Sequence, residues 1–165
     1  MNCGCPIINF FKKLFRKLLY RKKKGCLDGE VLLNLEGEDK KIVQNLDARI
    51  VVGKILEIKK HPDPKITKVK ITKCDLGGGK TEQILCGGTN IKEGLIVPIA
   101  TVGSQLSQDF IIGEREIRGI VSRGMICARA ELGVSTAGEE KGQIWELSSQ
   151  MEFFLGKSLN KVLAE

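Results

Sequence analysis

Short runs of alternating apolar and polar residues, separated by glycine and proline, fill the chain from residue 48 onward. The longest run, 48–60, ends at the H-P-D-P sequence of 61–64, where each proline fixes φ and removes a hydrogen-bond donor. Gly53 within this run predicts a bend or bulge. Several short strands at close spacing, one of them long and bent, predict a mainly β protein, an OB-fold barrel with short helical elements. A β-sandwich is the alternative, but it leaves the long bent strand unexplained.

The first 24 residues have a helical period instead. The apolar residues of one stripe are Ile7, Ile8, Phe11, Leu14, Phe15 and Leu18, and basic residues occupy the opposite face and the R-K-K-K run at 21–24. The pattern predicts a basic amphipathic helix of about 17 residues ahead of the barrel. Lysines interrupt its apolar run, so we do not expect it to span a bilayer. The sequence of 7–24 is compatible with three roles: binding to an anionic membrane surface, binding to RNA, and docking on the rest of the protein.

Residues 25–47 are acidic and predict a linker or a small hairpin, with strand-like segments at 31–37 and 42–46. The expected organisation is therefore a basic amphipathic helix over 1–24, this acidic segment over 25–47, and a β domain over 48–165.

The net charge of +7 is unevenly distributed. Residues 1–24 carry eight basic side chains and no acidic one, whereas residues 49–80 carry nine basic and three acidic side chains. Residues 81–165 carry eight basic and eleven acidic side chains. A basic region concentrated on a near-neutral body is typical of a phosphate-binding surface. Solvated lysines on exposed strands are the alternative interpretation.

The cysteines and the single histidine do not form a metal or disulfide pattern. Cys74, Cys86 and Cys127 lie in apolar runs and are expected to pack as small hydrophobic residues. No metal and no cofactor are expected. Free thiols favour a reducing, cytoplasmic location. A helix that binds lipid would place the protein at the inner face of the membrane.

Candidate catalytic residues are scarce. His61 lies at a proline turn and is expected to be a turn residue rather than a base. Ser122 lacks the G-x-S-x-G context of a hydrolase nucleophile, and Gly77–Gly79 lack the spacing of a phosphate-binding loop. The sequence therefore predicts binding without catalysis.

An ordered series of motifs runs from residue 50 to near the C terminus. Its parts are V-V-G-K-I-L-E at 51–57, H-P at 61–62, L-C-G-G-T-N at 85–90, G-L-I-V-P-I-A at 94–100, I-R-G-I-V-S-R-G-M-I-C at 117–127 and E-L-G at 131–133. This series resembles the tRNA-binding OB domain near the start of the bacterial phenylalanyl-tRNA synthetase β subunit, a domain that also occurs as a small stand-alone protein. The resemblance implies a tRNA-binding OB-fold domain over 48–165. The chain departs from the family pattern at two places. The turn after His61 is about two residues longer, and Glu116 occupies a position where a lysine is common in the family.

The resemblance and the charge together suggest candidate RNA contacts. Between residues 48 and 147 the only rings besides His61 are Phe110 and Trp145, which disfavours a base-stacking platform and favours recognition of folded RNA by backbone and shape. The phosphate-binding candidates are Lys54, Lys68, Lys70, Lys73, Arg118 and Arg123. Asn90 and Ser122 are candidates for hydrogen bonds to sugars or bases, Gly124 for close backbone approach and Met125 for an apolar contact. A tight turn and core packing are the alternative roles for Gly124 and Met125.

The expected partner is tRNA. Two alternatives remain: a truncated or accessory β-subunit-like piece that works with an aminoacyl-tRNA synthetase, and a membrane-tethered interaction module. The 165 residues leave no room for the editing or core domains of a synthetase β subunit.

Overall fold

The computed structural model describes residues 38–134 and 140–164. The predicted helix over 1–24 lies outside these ranges. The strands are β1 Ile50–Lys60, β2 Lys70–Asp75, β3 Thr81–Cys86, β4 Ile96–Ala100, β5 Gln105–Ser107, β6 Phe110–Ile111, β7 Glu114–Ile117, β8 Ile120–Arg123 and β9 Met125–Ile126. The helices are α1 Glu38–Gln44 and α2 Leu159–Ala164, with 3-10 helices η1 Ala130–Leu132 and η2 Ser149–Phe154. None of the helices in the described ranges is long and apolar enough to cross a membrane.

The main sheet is antiparallel and curls around its longest strand. Its strand order is β3-β2-β1-β4-β9, and β5–β6 and β7–β8 form separate hairpins. The first half of β1 pairs with β4 and the second half pairs with β2. The shift in register falls between Ile55 and Glu57, so the predicted irregularity is present but is not at Gly53. A side chain at Gly53 would collide with Ile99, which explains the glycine by close packing.

Side chains, rather than a complete ladder of backbone hydrogen bonds, connect β3 to β8 and nearly close the barrel. The Ser122 hydroxyl accepts a hydrogen bond from the Leu85 N–H at 3.0 Å and donates one to the Gly124 carbonyl at 3.2 Å. The Gln83 side-chain amide donates to the Val121 carbonyl at 2.8 Å. The prediction of a mainly β, OB-like barrel with few short helices is confirmed.

Two apolar clusters lie on the two sides of the sheet. The inner cluster fills the barrel and includes Ile55, Ile84 and Ile99. The outer cluster packs the helices against the sheet and includes Val43, Ile50, Val52, Trp145 and Leu159. All five residues of β4 are buried because the strand contributes to both clusters. The sequence of this strand is therefore continuously apolar and does not alternate between apolar and polar residues.

The acidic segment contains a helix where the sequence predicts a linker or a hairpin. Residues 38–44 form α1, so the strand-like interpretation of 42–46 is wrong. Glu38 and Asp39 occupy its first turn, where carboxylates favour a helix, and Val43 is 1% exposed in the outer cluster. A helix of seven residues with one buried position is too short to show a helical period in sequence.

Asp47 connects this helix to the barrel. Its carboxylate accepts hydrogen bonds from the backbone N–H groups of Arg49 and Gln105, each at 2.8 Å. These backbone hydrogen bonds hold the pKa of Asp47 below its usual value. The segment that precedes β1 is thereby held against the start of β5.

Replacing Ser122 with alanine is expected to lower the free energy of unfolding by about 1–3 kcal/mol, because the Leu85 N–H loses its acceptor at a partly buried site. Ser122 is 6% exposed. Urea unfolding followed by circular dichroism measures the effect. The matched control is Ser107→Ala, at an exposed position of β5. Equal stability of the two variants would contradict the role given to Ser122 in closing the barrel.

Candidate nucleic-acid interface

Four lysines gather where β1 ends and β2 begins. Lys60 and Lys70 are directly opposed across the two strands, so their side chains lie on the same face. Lys65 and Lys68 are exposed on the connecting loop. We call Lys60, Lys65, Lys68 and Lys70 the lysine rim. Directly opposed like charges destabilise a sheet, so this arrangement does not serve stability.

Within the described part of the chain, none of the rim lysines forms an ion pair. Carboxylates on adjoining segments are engaged elsewhere: Glu57 with Lys59 at 2.9 Å, Asp63 with Arg118 at 3.8 Å, and Glu93 with the Ile58 N–H at 2.9 Å. The charge of the rim is therefore left available to an anionic ligand.

The loop between β1 and β2, which carries Lys65 and Lys68 of the rim, is attached to the turn between β7 and β8. His61 Nε2 lies 3.1 Å from the Ile117 carbonyl oxygen, and His61 Nδ1 accepts the Asp63 N–H at 3.1 Å. Arg118 and Gly119 form the turn with φ values of 49° and 82°, the signs that a type I′ hairpin turn requires. Arg118 directly follows Ile117, so this attachment brings it next to the β1–β2 loop. It is the predicted site residue from outside the loop that the attachment places there.

Three other predicted phosphate contacts lie apart from the rim. Lys73 is three positions along β2 from Lys70, so it lies on the opposite face of the strand. There it borders an open groove of about 260 Å³. Lys54 forms an ion pair with Glu152 on η2, and Arg123 pairs with Glu114 across the β7–β8 hairpin at 3.0 Å. The predicted phosphate-binding residues therefore do not form one surface. Lys73 lies on the other face of β2, and Lys54 and Arg123 are each paired with a carboxylate.

The remaining four predicted contacts have roles inside the domain. Asn90 donates to the Ile144 carbonyl at 3.1 Å and accepts the Ile144 N–H at 2.8 Å, and Ser122 joins β3 to β8. Gly124 has φ of 126°, and an added Cβ would lie 2.8 Å from the Ala100 carbonyl oxygen. Met125 packs against the outer cluster. Their contact with RNA stays a prediction.

Lys60, Lys65 and the buried contacts of His61 are not among the residues predicted from the sequence. Counted across the four-residue turn at 61–64, a hairpin register would have opposed Lys60 to Lys65. The structure opposes Lys60 to Lys70 instead, because the loop spans residues 61–69. The contact between His61 and Ile117 joins residues 56 positions apart, so no local sequence pattern predicts it.

Residues 50–153 match a protein family described as "Putative tRNA binding domain". The chain belongs to this family. A phenylalanine–tRNA ligase β subunit from Chlorobaculum tepidum is 37% identical over 132 residues, which are 78% of this chain and 16% of that protein. The corresponding subunit from Chlorobium luteolum is 44% identical over 107 residues, 62% of this chain and 13% of that protein. The chain thus spans less than a fifth of the length of these curated relatives.

Solved structures show a more distant likeness. A MetRS-related protein from Pyrococcus horikoshii aligns with a TM-score of 0.46 and 18% identity, over 76% of this chain and 97% of that one.

The three cysteines among the described residues are buried, and burial determines their acid–base chemistry. Burial raises the pKa of the Cys74 thiol to about 11 and that of Cys127 to about 12, and it also raises the pKa of Cys86. These thiols are therefore protonated and poor nucleophiles at neutral pH. The described ranges contain no group of three His, Cys, Asp or Glu residues that could hold a metal ion.

The three buried thiols are expected to resist alkylation in the folded protein. At pH 8 a thiol with a pKa near 11 has about one thousandth of its population as thiolate. Treatment with iodoacetamide followed by peptide mass spectrometry should leave Cys74, Cys86 and Cys127 unmodified, whereas the urea-unfolded chain is labelled at all three. Rapid labelling of Cys127 in the folded protein would contradict its assigned burial.

Proposed function

We propose that this chain is a non-catalytic tRNA-binding protein that recognises folded RNA through its backbone and shape. The lysine rim carries the proposal, because it is a set of cations on one end of the barrel for which the described residues supply no ion-pair partner. Phosphates are the natural partners of such a set. Membership in the tRNA-binding family supports tRNA as the class of RNA.

The positions of the aromatic residues favour backbone contacts over base stacking. Trp145 is 3% exposed, and the Arg129 guanidinium lies 5.0 Å from the centre of its ring. Phe110 is exposed on β6, and the Arg115 guanidinium lies 5.5 Å from its ring centre. Phe153 is exposed, but it follows Glu152, which pairs with Lys54 in the other half of β1. Among the described residues, none of the rim lysines contacts an aromatic ring, which favours backbone contacts over base stacking at the rim.

A purely binding role also agrees with the chemistry of the described side chains. The three buried thiols are protonated, and both ring nitrogens of His61 are engaged within the protein. A general base needs a free acceptor within reach of a substrate proton, which this histidine lacks.

The rim can be tested by charge removal in the full-length protein. Lys60→Gln combined with Lys70→Gln is expected to weaken tRNA binding about tenfold at moderate salt and to reduce the slope of log affinity against log salt by about 2, one for each lost phosphate contact. The readout is fluorescence anisotropy of labelled tRNA at several salt concentrations, with an RNA duplex of similar length as the comparison ligand.

The matched control removes the same charge elsewhere. Lys157 and Lys161 are exposed near α2, on the side of the domain where the start of β1 lies. Their double glutamine variant should change tRNA affinity less than about twofold. Equal weakening by the two double variants would exclude the rim as the binding site, and equal affinity of the wild type for duplex and tRNA would exclude selective recognition of folded RNA.

We propose a cytoplasmic location, and the three free thiols among the described residues support it. The basic, amphipathic sequence of 7–24 supports a peripheral attachment to an anionic inner membrane surface or an additional contact with RNA.

A second candidate function is an accessory role beside an aminoacyl-tRNA synthetase. It is favoured by relatives that are β subunits of phenylalanine–tRNA ligase, of which this chain matches a small part. Co-elution of the full chain with phenylalanine–tRNA ligase in size-exclusion chromatography, without tRNA, would support this role, and separate elution would oppose it.

A further inference from the structure

We infer that His61 is a positioning residue for RNA binding, which fixes the lysine rim by joining its loop to the β7–β8 turn. The inference rests on the proposed function, since it assigns the device that holds the proposed RNA-binding surface in place. His61 is 6% exposed, although Pro62, Pro64 and Lys65 of the same loop are exposed. The ring is thus the buried anchor of an otherwise exposed segment.

The hydrogen bonds define which tautomer the anchor uses. The Asp63 N–H can only donate, so His61 Nδ1 accepts from it and carries no proton. The proton of the neutral ring is then on Nε2, which donates to the Ile117 carbonyl oxygen. One nitrogen thereby shapes the loop locally, and the other attaches the loop to a hairpin 56 residues further along the chain.

Asp63, whose N–H donates to the ring, also contacts charged neighbours through its carboxylate. Asp63 accepts the Lys65 N–H at 2.9 Å and lies 3.8 Å from Arg118, which follows Ile117 in the β7–β8 turn. The ionisable groups that the contacts place around His61 are therefore Asp63 from its own loop and Arg118 from the opposite turn. The positions of Lys65 and Arg118 both depend on the segment that His61 anchors.

Only part of the rim is fixed by the sheet. The β1–β2 ladder holds Lys60 against Lys70, but Lys65 and Lys68 lie between the two strands. If His61 releases the Ile117 carbonyl, these lysines must be ordered when RNA binds, and the ordering weakens affinity. An anchored loop avoids this loss.

Two amide substitutions in the full-length protein separate the two bonds of the ring. His61→Gln can place a donor near the position of Nε2 and so keep the attachment to Ile117. His61→Asn can place an acceptor near the position of Nδ1 and so keep only the local contact with Asp63. Each variant loses one buried hydrogen bond, so similar unfolding midpoints are expected and any difference in RNA binding reflects the attachment.

His61→Gln is expected to bind labelled tRNA within about twofold of wild type, and His61→Asn about fivefold more weakly with a salt slope reduced by about 1. Both are repeated with Arg21, Lys22, Lys23 and Lys24 changed to glutamine, so that the N-terminal basic run does not mask the difference. Wild-type affinity and salt slope in His61→Asn would overturn the inference while leaving the proposed function intact. Absence of salt-dependent tRNA binding by the wild type would instead overturn the proposed function.

A spectroscopic measurement tests the anchor without any substitution. His61 is the single histidine of the chain, so a ¹⁵N spectrum of the untagged full-length protein contains one imidazole. We expect the chemical shifts of a neutral ring protonated at Nε2, unchanged when tRNA is added. A ring protonated at Nδ1, or rapid exchange between the two tautomers in the free protein, would overturn the inference.

Discussion

The contact between β3 and β8 through Ser122 is the constraint on which the rest of the structure depends. The main sheet has β3 at one edge and β9 at the other, and an open sheet of this kind exposes unpaired backbone groups. The Ser122 hydroxyl gives the Leu85 N–H of β3 an acceptor, and Gly124 allows the chain to pass close to the Ala100 carbonyl before β9 begins. The barrel encloses its apolar interior because these two small residues bring the edges together.

The same contact positions the proposed RNA-binding surface. Once β8 is held against β3, the turn at Arg118 and Gly119 is fixed in space, and Ile117 presents its carbonyl to His61. His61 in turn holds the loop that carries Lys65 and Lys68. Closure of the barrel and placement of the lysine rim are therefore consecutive links of one chain of contacts. The motif I-R-G-x-x-S-x-G-M contributes mainly to the shape of this surface, and the lysines supply its charge.

Ion pairing separates the lysines of the proposed RNA-binding surface from those with a carboxylate partner. Lys54 and Lys59 each have a carboxylate partner, whereas Lys60 faces Lys70 across the sheet. An arrangement that opposes like charges is unfavourable for the isolated fold and becomes favourable when phosphates lie between or beside them. Domains that bind nucleic acid commonly retain such local conflicts at the binding surface.

The sequence by itself determined the β architecture, the long first strand, the buried thiols and a basic region within 49–80, because alternation, turn residues and charge are local properties of the chain. It missed α1, whose seven residues bury only Val43. It also grouped Lys54, Lys70 and Lys73. The ion pair that removes Lys54 from this group joins it to Glu152, 98 residues away, and only the tertiary structure decides it. The opposite faces of Lys70 and Lys73 follow from their odd spacing along β2, so this separation was predictable from the sequence. Only the tertiary structure could oppose Lys60 to Lys70 and bring His61 to Ile117, since register and barrel closure are set by contacts between residues far apart in sequence.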